Sequence, residues 1–411
     1  MVNIDCKINI DEIVEKIVNK ELKVYQLDKM FGEKNAVLIR RKYLEKVSNV
    51  KTNHIENYTI DEKLAMQKNI ENMIGVVQIP LGFAGPLLVN GAFAKGEFNV
   101  PLATTEGALV ASVNRGCSII TKCGGATVRV IDDKMTRAPI IKTNSVVDAL
   151  KLKEWILENF LKIKEVSEST TRHGKLISIS PILIVGRNVY PRFTFKTGDA
   201  MGMNMVTIAT EKACLFIESE LKKEGIDVDT IALSGNVCID KKPAAINLIE
   251  GRGKSVIAEV FLKEEYVNKY LKTTSKAIEQ VNTYKNLIGS AISGSLGFNA
   301  QYANIVGAIF LATGQDEAHV VEGSMGITTA ECTKEGLYFS VTLPDLPIAT
   351  IGGGTRVEPQ NECLELLECA GTGKSEKFAE IVGASVLAGE LSLIGALSAG
   401  HLAKAHSELG R

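Results

Sequence analysis

The chain has 411 residues, 45% of them hydrophobic and 23% charged, with a formal net charge of −1. That length exceeds one simple core and points to two or three domains. The charge balance argues against nucleic acid as the main partner, which would want a basic excess.

Residues 1–70 read as a helical unit. Ile10, Ile13, Ile17 and Leu22 recur near helical spacing, and the basic run Arg40-Arg41-Lys42 follows. The charged, amphipathic start is unlike a signal peptide. The 8 cysteines include no C-x-x-C pair and the 5 histidines are scattered, so zinc-site spacing is absent. Reduced thiols in a cytoplasmic protein are the expectation. Tyr25 reads as a partly exposed aromatic.

Segment 71–91 (ENMIGVVQIPLGFAGPLLVNG) is turn and short strand, punctuated by Pro80, Gly82, Gly85 and Pro86. A hairpin through Gly91 to Val100 follows. ATTEG at 103–107 then opens a helix, with Thr104 or Thr105 as cap and Glu106 in its first turn.

From 139 to 237 the pattern changes. Strand 139–142, helix 145–161, strands 176–185 and 189–195, helix 203–221 and strand 230–237 give the order β-α-β-β-α-β. That is the order of a ferredoxin-like split unit, read here as an inserted α/β domain. After 247 the chain reads as mostly helical. A strand at 255–262, a helix at 265–286 and the glycine-rich stretch 289–297 lead into an apolar helix at 300–313. Its run at 303–313 is too short to span a bilayer. A strand at 337–343, a turn at 351–355 and helices at 362–370 and 376–406 complete the chain.

The stretch that organises this reading is SGNVCIDKKPAAIN at 234–247. Asp240, Lys241 and Lys242 stand side by side, and Pro243 biases Lys242 toward an extended backbone. Adjacent extended side chains point opposite ways, so the two lysines serve separate jobs. A lysine held near a carbonyl can stabilise negative charge developing on oxygen. GDAMGMNM at 198–205 runs into a helix, and its small residues let a backbone approach a phosphate at the helix N-terminus. Spacing alone does not separate a phosphate site from a packed turn there. GTGKS at 371–375 and GRGKS at 251–255 end like a P-loop, but Glu368 and Leu248 stand where its first glycine belongs. Asp316, in GQDE, is placed just past a helix C-terminus, where a nearby cation would offset the dipole. His401 and His406, five apart, face about 140° away from each other on a helix and are no shared metal site. An imidazole suits proton donation, which makes His406 a candidate acid. A rival reading makes Cys238 an acyl nucleophile, although it lacks an obvious histidine base.

Taken together, the motifs resemble the catalytic portion of class I 3-hydroxy-3-methylglutaryl-CoA (HMG-CoA) reductases. ENMIG at 71–75, PLATTEGALVASVNRG at 101–116, MTRAP at 135–139 and GDAMGMNM carry the likeness. So do SGNVCIDKKPAAINLIEGRGKS at 234–255, NLIGSAISGSLGFNA at 286–300, GQDEA at 314–318 and AGELSLIGALSAGHLAKAH at 388–406. The resemblance implies reduction of HMG-CoA to mevalonate and CoA with two NADPH and no metal. It implies catalytic roles for Glu106, Lys241, Asp316 and His406, the histidine protonating the departing CoA thiolate. It places Arg137, Ser234, Lys242, Lys285 and Asn304 around the HMG group. Tyr25, Ser112, Asn114, Arg115 and Lys272 fall on the CoA side. Thr171, Arg172, Asp199, Met201, Gly202, Met203 and Asn204 fall on the NADP side, where Arg172 suits a 2′-phosphate.

The implied fold is α+β. A helical N-terminal domain spans 1–70. A large, mostly helical domain around a long central helix spans 71–138 and 240–411. The small ferredoxin-like NADP domain spans 139–239, with the lysine loop at its end. The family's site lies between subunits, so a homodimer or dimer of dimers is implied, with no membrane or nucleic-acid partner. For Glu106 to give a proton, a neighbouring carboxylate such as Asp316 and burial would have to raise its proton affinity. Gln301 stands where animal members carry a histidine. The resemblance further implies that the serine phosphorylated in animal enzymes would fall beyond Arg411, so that control by phosphorylation is not expected, nor is a membrane anchor.

Overall fold

The computed structural model describes residues 9–400. His401 and His406 lie outside the described residues.

At the N-terminal end, helices Ile10–Val18, Leu27–Phe31 and Glu33–Ser48 close on a small cluster of Ile13, Val14, Ile17, Leu27, Ala36 and Ile39. The first helix starts where Asn9 accepts from the Glu12 N–H, and its i, i+3, i+4, i+7 apolar face turns inward.

The strands, in chain order, are β1 (Leu81–Asn90), β2 (Lys95–Ala103), β3 (Ala126–Arg137), β4 (Ile140–Thr143), β5 (Lys175–Val185) and β6 (Asn188–Lys196). They continue with β7 (Val228–Ala232), β8 (Arg252–Lys263), β9 (Gly297–Phe298), β10 (Gly326–Cys332) and β11 (Gly336–Leu346). One sheet runs β2-β1-β3-β8-β11-β10-β9. β3 then leaves it, and its last residues, Met135–Arg137, pair with β6. The second sheet runs β7-β4-β6-β5, antiparallel throughout. Helices Val146–Glu158 and Met203–Lys223 pack on it around Trp155, Phe193, Phe195 and Ile217.

The first sheet corrects the expectation of a mostly helical region after 240: the strands expected at 255–262 and 337–343 form within β8 and β11, and β9 and β10 join them. β8 and β11 are buried along nearly their whole length. Strands covered on both faces lose the alternation that marks them in sequence. Their cover is the 24-residue helix Ser375–Ser398, buried on almost every side and packed on β3, β8 and β11. This helix, not the run at 303–313, is long and apolar enough to cross a bilayer, yet 83% of its apolar window is buried in this fold. It touches helix Leu109–Lys122 at Gly116, where an added Cβ would sit 1.9 Å from the Ala388 carbonyl oxygen.

Two further elements depart from expectation. The helix opening at ATTEG begins only at Leu109, behind Ala108 in the left-handed region (φ +71). Glu106 therefore lies in the loop ahead of it, and Thr104 bonds the Glu106 N–H rather than capping the helix. The single helix expected at 265–286 is broken at Lys272 (φ +56), and π-turn stretches run at Val267–Leu271 and Asn282–Gly289. Nothing in the local sequence explains those π stretches.

Candidate active site

The loop carrying Asp240, Lys241 and Lys242 is tied down from behind. Asn247, at the start of helix Ala245–Glu250, donates to the Ile239 carbonyl at 3.1 Å and to Asp345 at 2.8 Å. Lys241 is not extended: its φ is +60, a conformation that costs a residue with a Cβ about 1–2 kcal/mol. Its backbone N–H, donating to the buried Glu322 carboxylate, holds it there. The side chain meets Asp316, with Nζ to Oδ2 at 2.7 Å. Asp316 lies beyond helix Tyr302–Thr313 and caps the short turn Glu317–His319, accepting from the Ala318 N–H at 3.1 Å. Burial raises its proton affinity, but the hydrogen bond from Lys241 and the nearby charges outweigh burial and keep it below the usual carboxylate range.

Lys242 turns away and donates to the Asp240 carbonyl at 3.2 Å. Arg137 stands 4.0 Å from Asp240. The Ser234 hydroxyl lies 3.4 Å from the Cys238 sulfur. Cys238 is fully buried, and among the described residues no histidine is one of its hydrogen-bond partners, which leaves it without the base a nucleophile needs.

Under the lysine loop lies a polar network that sequence reading missed. Arg252, fully buried on β8, bonds both Asp240 (2.9 Å) and Glu322. His319, also fully buried, places Nε2 2.9 Å from Asp240. Burial alone would raise the Asp240 pKa, but the His319 hydrogen bond and the Arg252 charge overcome it and hold the carboxyl well below its ordinary range. Asp240, His319 and Glu322 are spaced as if around a cation. The Arg252 guanidinium is that cation.

A cavity of 720 Å³ opens beside Asp316, within the size range of small-molecule sites. Met201, Gly202, Met203, Asn204 and the loop Gly352–Gly354 line it. Gly202 (φ +84) heads helix Met203–Lys223 and packs so closely on Thr197 that a Cβ would lie 2.5 Å from its methyl. Asp199, by contrast, is engaged within the protein. Its carboxylate accepts from the N–H groups of Gly373 (2.8 Å), Lys374 (3.0 Å) and Ser375 (3.1 Å). The GTGKS stretch thus does bind an anion at a helix N-terminus, but the anion is a side chain of the same chain. Thr171 closes its own loop, accepting from His173 and Gly174 at 3.2 and 3.1 Å. Arg172 beside it is exposed.

Glu106 belongs to a different neighbourhood. It is exposed, and Asn304, in the first turn of helix Tyr302–Thr313, donates to it at 3.2 Å. Gln301, just ahead, donates to the Gly389 carbonyl at 2.6 Å. The fully buried Glu390 accepts from the N–H groups of Ala300 and Gln301 and from Thr328, fixing that helix end. Asn304 and Asp316 therefore stand at opposite ends of a 12-residue helix, about 18 Å long. Of the expected catalytic set, Lys241 and Asp316 meet, and Glu106 keeps company with Asn304 instead.

The remaining residues are held within the chain as follows. Arg115 bonds Ser392 through side chain and carbonyl (3.0 and 2.5 Å), and Ser112 lies 3.0 Å from the same hydroxyl. Asn114 accepts from the Gly85 N–H at 3.0 Å. Lys285 donates to Asn286 at 3.2 Å. Tyr25 is 63% exposed, with the Lys23 ammonium 5.9 Å from its ring centre.

The model of the family described as "Hydroxymethylglutaryl-coenzyme A reductase" matches residues 36–411. The chain belongs to that family. It is 75% identical over 403 residues to the 3-hydroxy-3-methylglutaryl-coenzyme A reductase of Methanocaldococcus jannaschii, covering 98% of this chain and 100% of that one. The reductase of the same name from Methanothermobacter thermautotrophicus is 61% identical, over 97% of this chain and 99% of its own. Among solved structures, the class II reductase of Streptococcus pneumoniae bound to NADPH matches with a TM-score of 0.66 at 19% identity, over 92% of this chain and 100% of that one. That likeness is one of fold. In this family member, the residues that sequence reading missed are the buried ones. His319 follows Asp316 by three positions, and that spacing was the one available signal. Arg252 sits inside a P-loop look-alike that had been set aside.

Proposed function

We propose that this chain is a class I-type, cytoplasmic HMG-CoA reductase. In this reading it converts (S)-HMG-CoA to (R)-mevalonate and CoA with two NADPH, as at least a homodimer. The Lys241–Asp316 pair carries the reading. It sets an oriented ammonium beside a cavity lined by the 201–204 segment, the place proposed for NADPH.

NADPH supplies the hydride for each of the two reductions. The chain's own residues do the rest. Lys241 faces the thioester oxygen and stabilises negative charge as it develops there. Asp316 orients the ammonium from behind, and Asp240 anchors the loop to Arg252. Lys242, Arg137, Ser234, Lys285 and Asn304 bind the HMG group. Ser112, Asn114, Arg115, Lys272 and Tyr25 receive CoA. Thr171, Arg172 and Met201–Asn204 receive the cofactor, while Asp199 holds their loop rather than the nucleotide. Glu106 delivers the proton of the second reduction, and His406 protonates the CoA thiolate. The domains are read as 1–70, 71–138 with 240–411, and 139–239.

Glu106 cannot serve Lys241 of its own chain across the length of helix Tyr302–Thr313. A second copy would supply it, and burial against that copy would give Glu106 the dry setting that one chain lacks. The deciding experiment is NADPH oxidation dependent on HMG-CoA, with mevalonate identified as product. NADPH turnover no faster than NADH turnover would instead favour a class II-like mevalonate oxidation.

A further inference from the structure

His319 is fully buried, yet among the described residues only one of its ring nitrogens has a partner. Nε2 lies 2.9 Å from Asp240 Oδ1. Among the described residues Nδ1 has no hydrogen-bond partner, and Asp316 Oδ2, the oxygen that Lys241 holds at 2.7 Å, lies 3.9 Å away. A buried, unmatched ring nitrogen is an exception that calls for a cause. Here a shift of Asp316 by about 1 Å would bring it within hydrogen-bond reach.

We propose that His319 is a positioning residue that carries a proton on Nδ1 and takes over Asp316 when Lys241 turns to the substrate oxygen. The charges around the ring support this. Asp240 and Lys241 face it from the lysine loop, Asp316 and Glu322 from its own segment, and Arg252 from β8. Asp345 on β11 is pushed well above the usual carboxylate range by burial and by the Glu322 charge, and so adds no charge. Arg137 on β3 stands 4.0 Å from Asp240. The ring thus has a carboxylate oxygen on each side, Asp240 at Nε2 and Asp316 toward Nδ1, and an imidazolium suits that pairing. Asp240, held ionised by the His319 hydrogen bond and by Arg252, keeps Nε2 as a donor, so the second proton falls to Nδ1. Each time the ammonium engages an oxyanion, Asp316 would otherwise be left as a half-buried carboxylate without a partner. The waiting N–H removes that cost.

The inference rests on the reductase reading, and the test separates the two. Parent enzyme and His319→Gln are compared with mevaldehyde and NADPH, the half-reaction in which no thiolate leaves and His406 is silent. Glutamine still donates to Asp240 but offers nothing to Asp316. kcat should fall about 10- to 100-fold, with KM for NADPH within about twofold. A variant with the parent's rate overturns the proposal. A parent that does not oxidise NADPH with mevaldehyde defeats the reductase reading instead. Nitrogen-15 spectra of ring-labelled protein at neutral pH need no activity. The resonance pair missing from H319Q should show both nitrogens protonated, and a bare nitrogen overturns the proposal. Should H319Q fail to fold, D316N identifies the same pair by the shift it causes.

Discussion

Lys241 occupies a backbone conformation that lysine disfavours, and the same loop aims its side chain. The left-handed turn at φ +60 directs the N–H inward to Glu322, while the ammonium reaches Asp316. A strained residue fixed from several sides marks a site where geometry matters more than stability. Lys241→Met should therefore leave the fold intact and lower kcat about 100- to 1000-fold, the usual loss for one oxyanion donor. Steady-state NADPH oxidation with a melting curve as control checks both halves of that statement. Glu106→Gln should keep HMG-CoA binding, since Asn304 can still bond the amide, but lose mevaldehyde reduction for want of a proton. Undiminished mevaldehyde turnover would remove Glu106 from the chemistry.

At the scale of elements, carboxylates clasp the ends of helices and turns, Glu380 and Glu390 fully buried and Asp199 partly so. Glu390 holds the N-terminus of helix Tyr302–Thr313, Glu380 holds the turn at Ala92–Ala94, and Asp199 holds the start of helix Ser375–Ser398. For Asp199, burial raises the pKa, and the backbone N–H bonds more than offset it, so the carboxyl lies below its ordinary value. A depressed folded pKa means the stabilisation is fully present above the unfolded value, about 3.9, and is lost as pH falls through the folded value. Asp199→Ala should cost about 1–3 kcal/mol at neutral pH, with the gap from the parent closing in acid. Urea midpoints at pH 7 and in acid would check this, and a gap that stays constant would refute the linkage. These clasps also show where sequence reading stops. The strands and helices of 139–237 were legible because one face of that sheet is solvated and its alternation survives. β8 and β11 were legible over 255–262 and 337–343, whereas β9, only two residues long, and β10 were not. The lysine loop, GDAMGMNM and GQDE were legible as motifs of short range. His319, Arg252 and Glu322 were not, because they act from inside the fold and carry no pattern of their own. The Asp199 clasp joins positions 174 residues apart in sequence for its first bond, a distance that no local rule reaches.

For the whole molecule, the question is what completes the half-sites at the two ends of helix Tyr302–Thr313. The surface near Glu106 and Lys285 is apolar to a degree unusual for a free face. Tyr284, Ile288 and Ile292 are 65%, 46% and 82% exposed along one helical side, and Val77 and Phe83 are 78% and 65% exposed on the chain entering and starting β1. A two-fold partner seated there would bring its own Lys241 end to the Glu106 end of the first chain, and the converse, because a two-fold contact is reciprocal. The arrangement predicts complementation. Glu106→Gln and Lys241→Met chains are each inactive alone. Co-expressed, they form mixed dimers in which one of the two sites takes Glu106 from the lysine variant and Lys241 from the glutamate variant, and is whole. Random pairing makes about half the dimers mixed, each with one of two sites restored, so about a quarter of parental activity should return. If each chain instead built its own site, no pairing would restore anything, and differentially tagged mixed dimers would be as inactive as their parents.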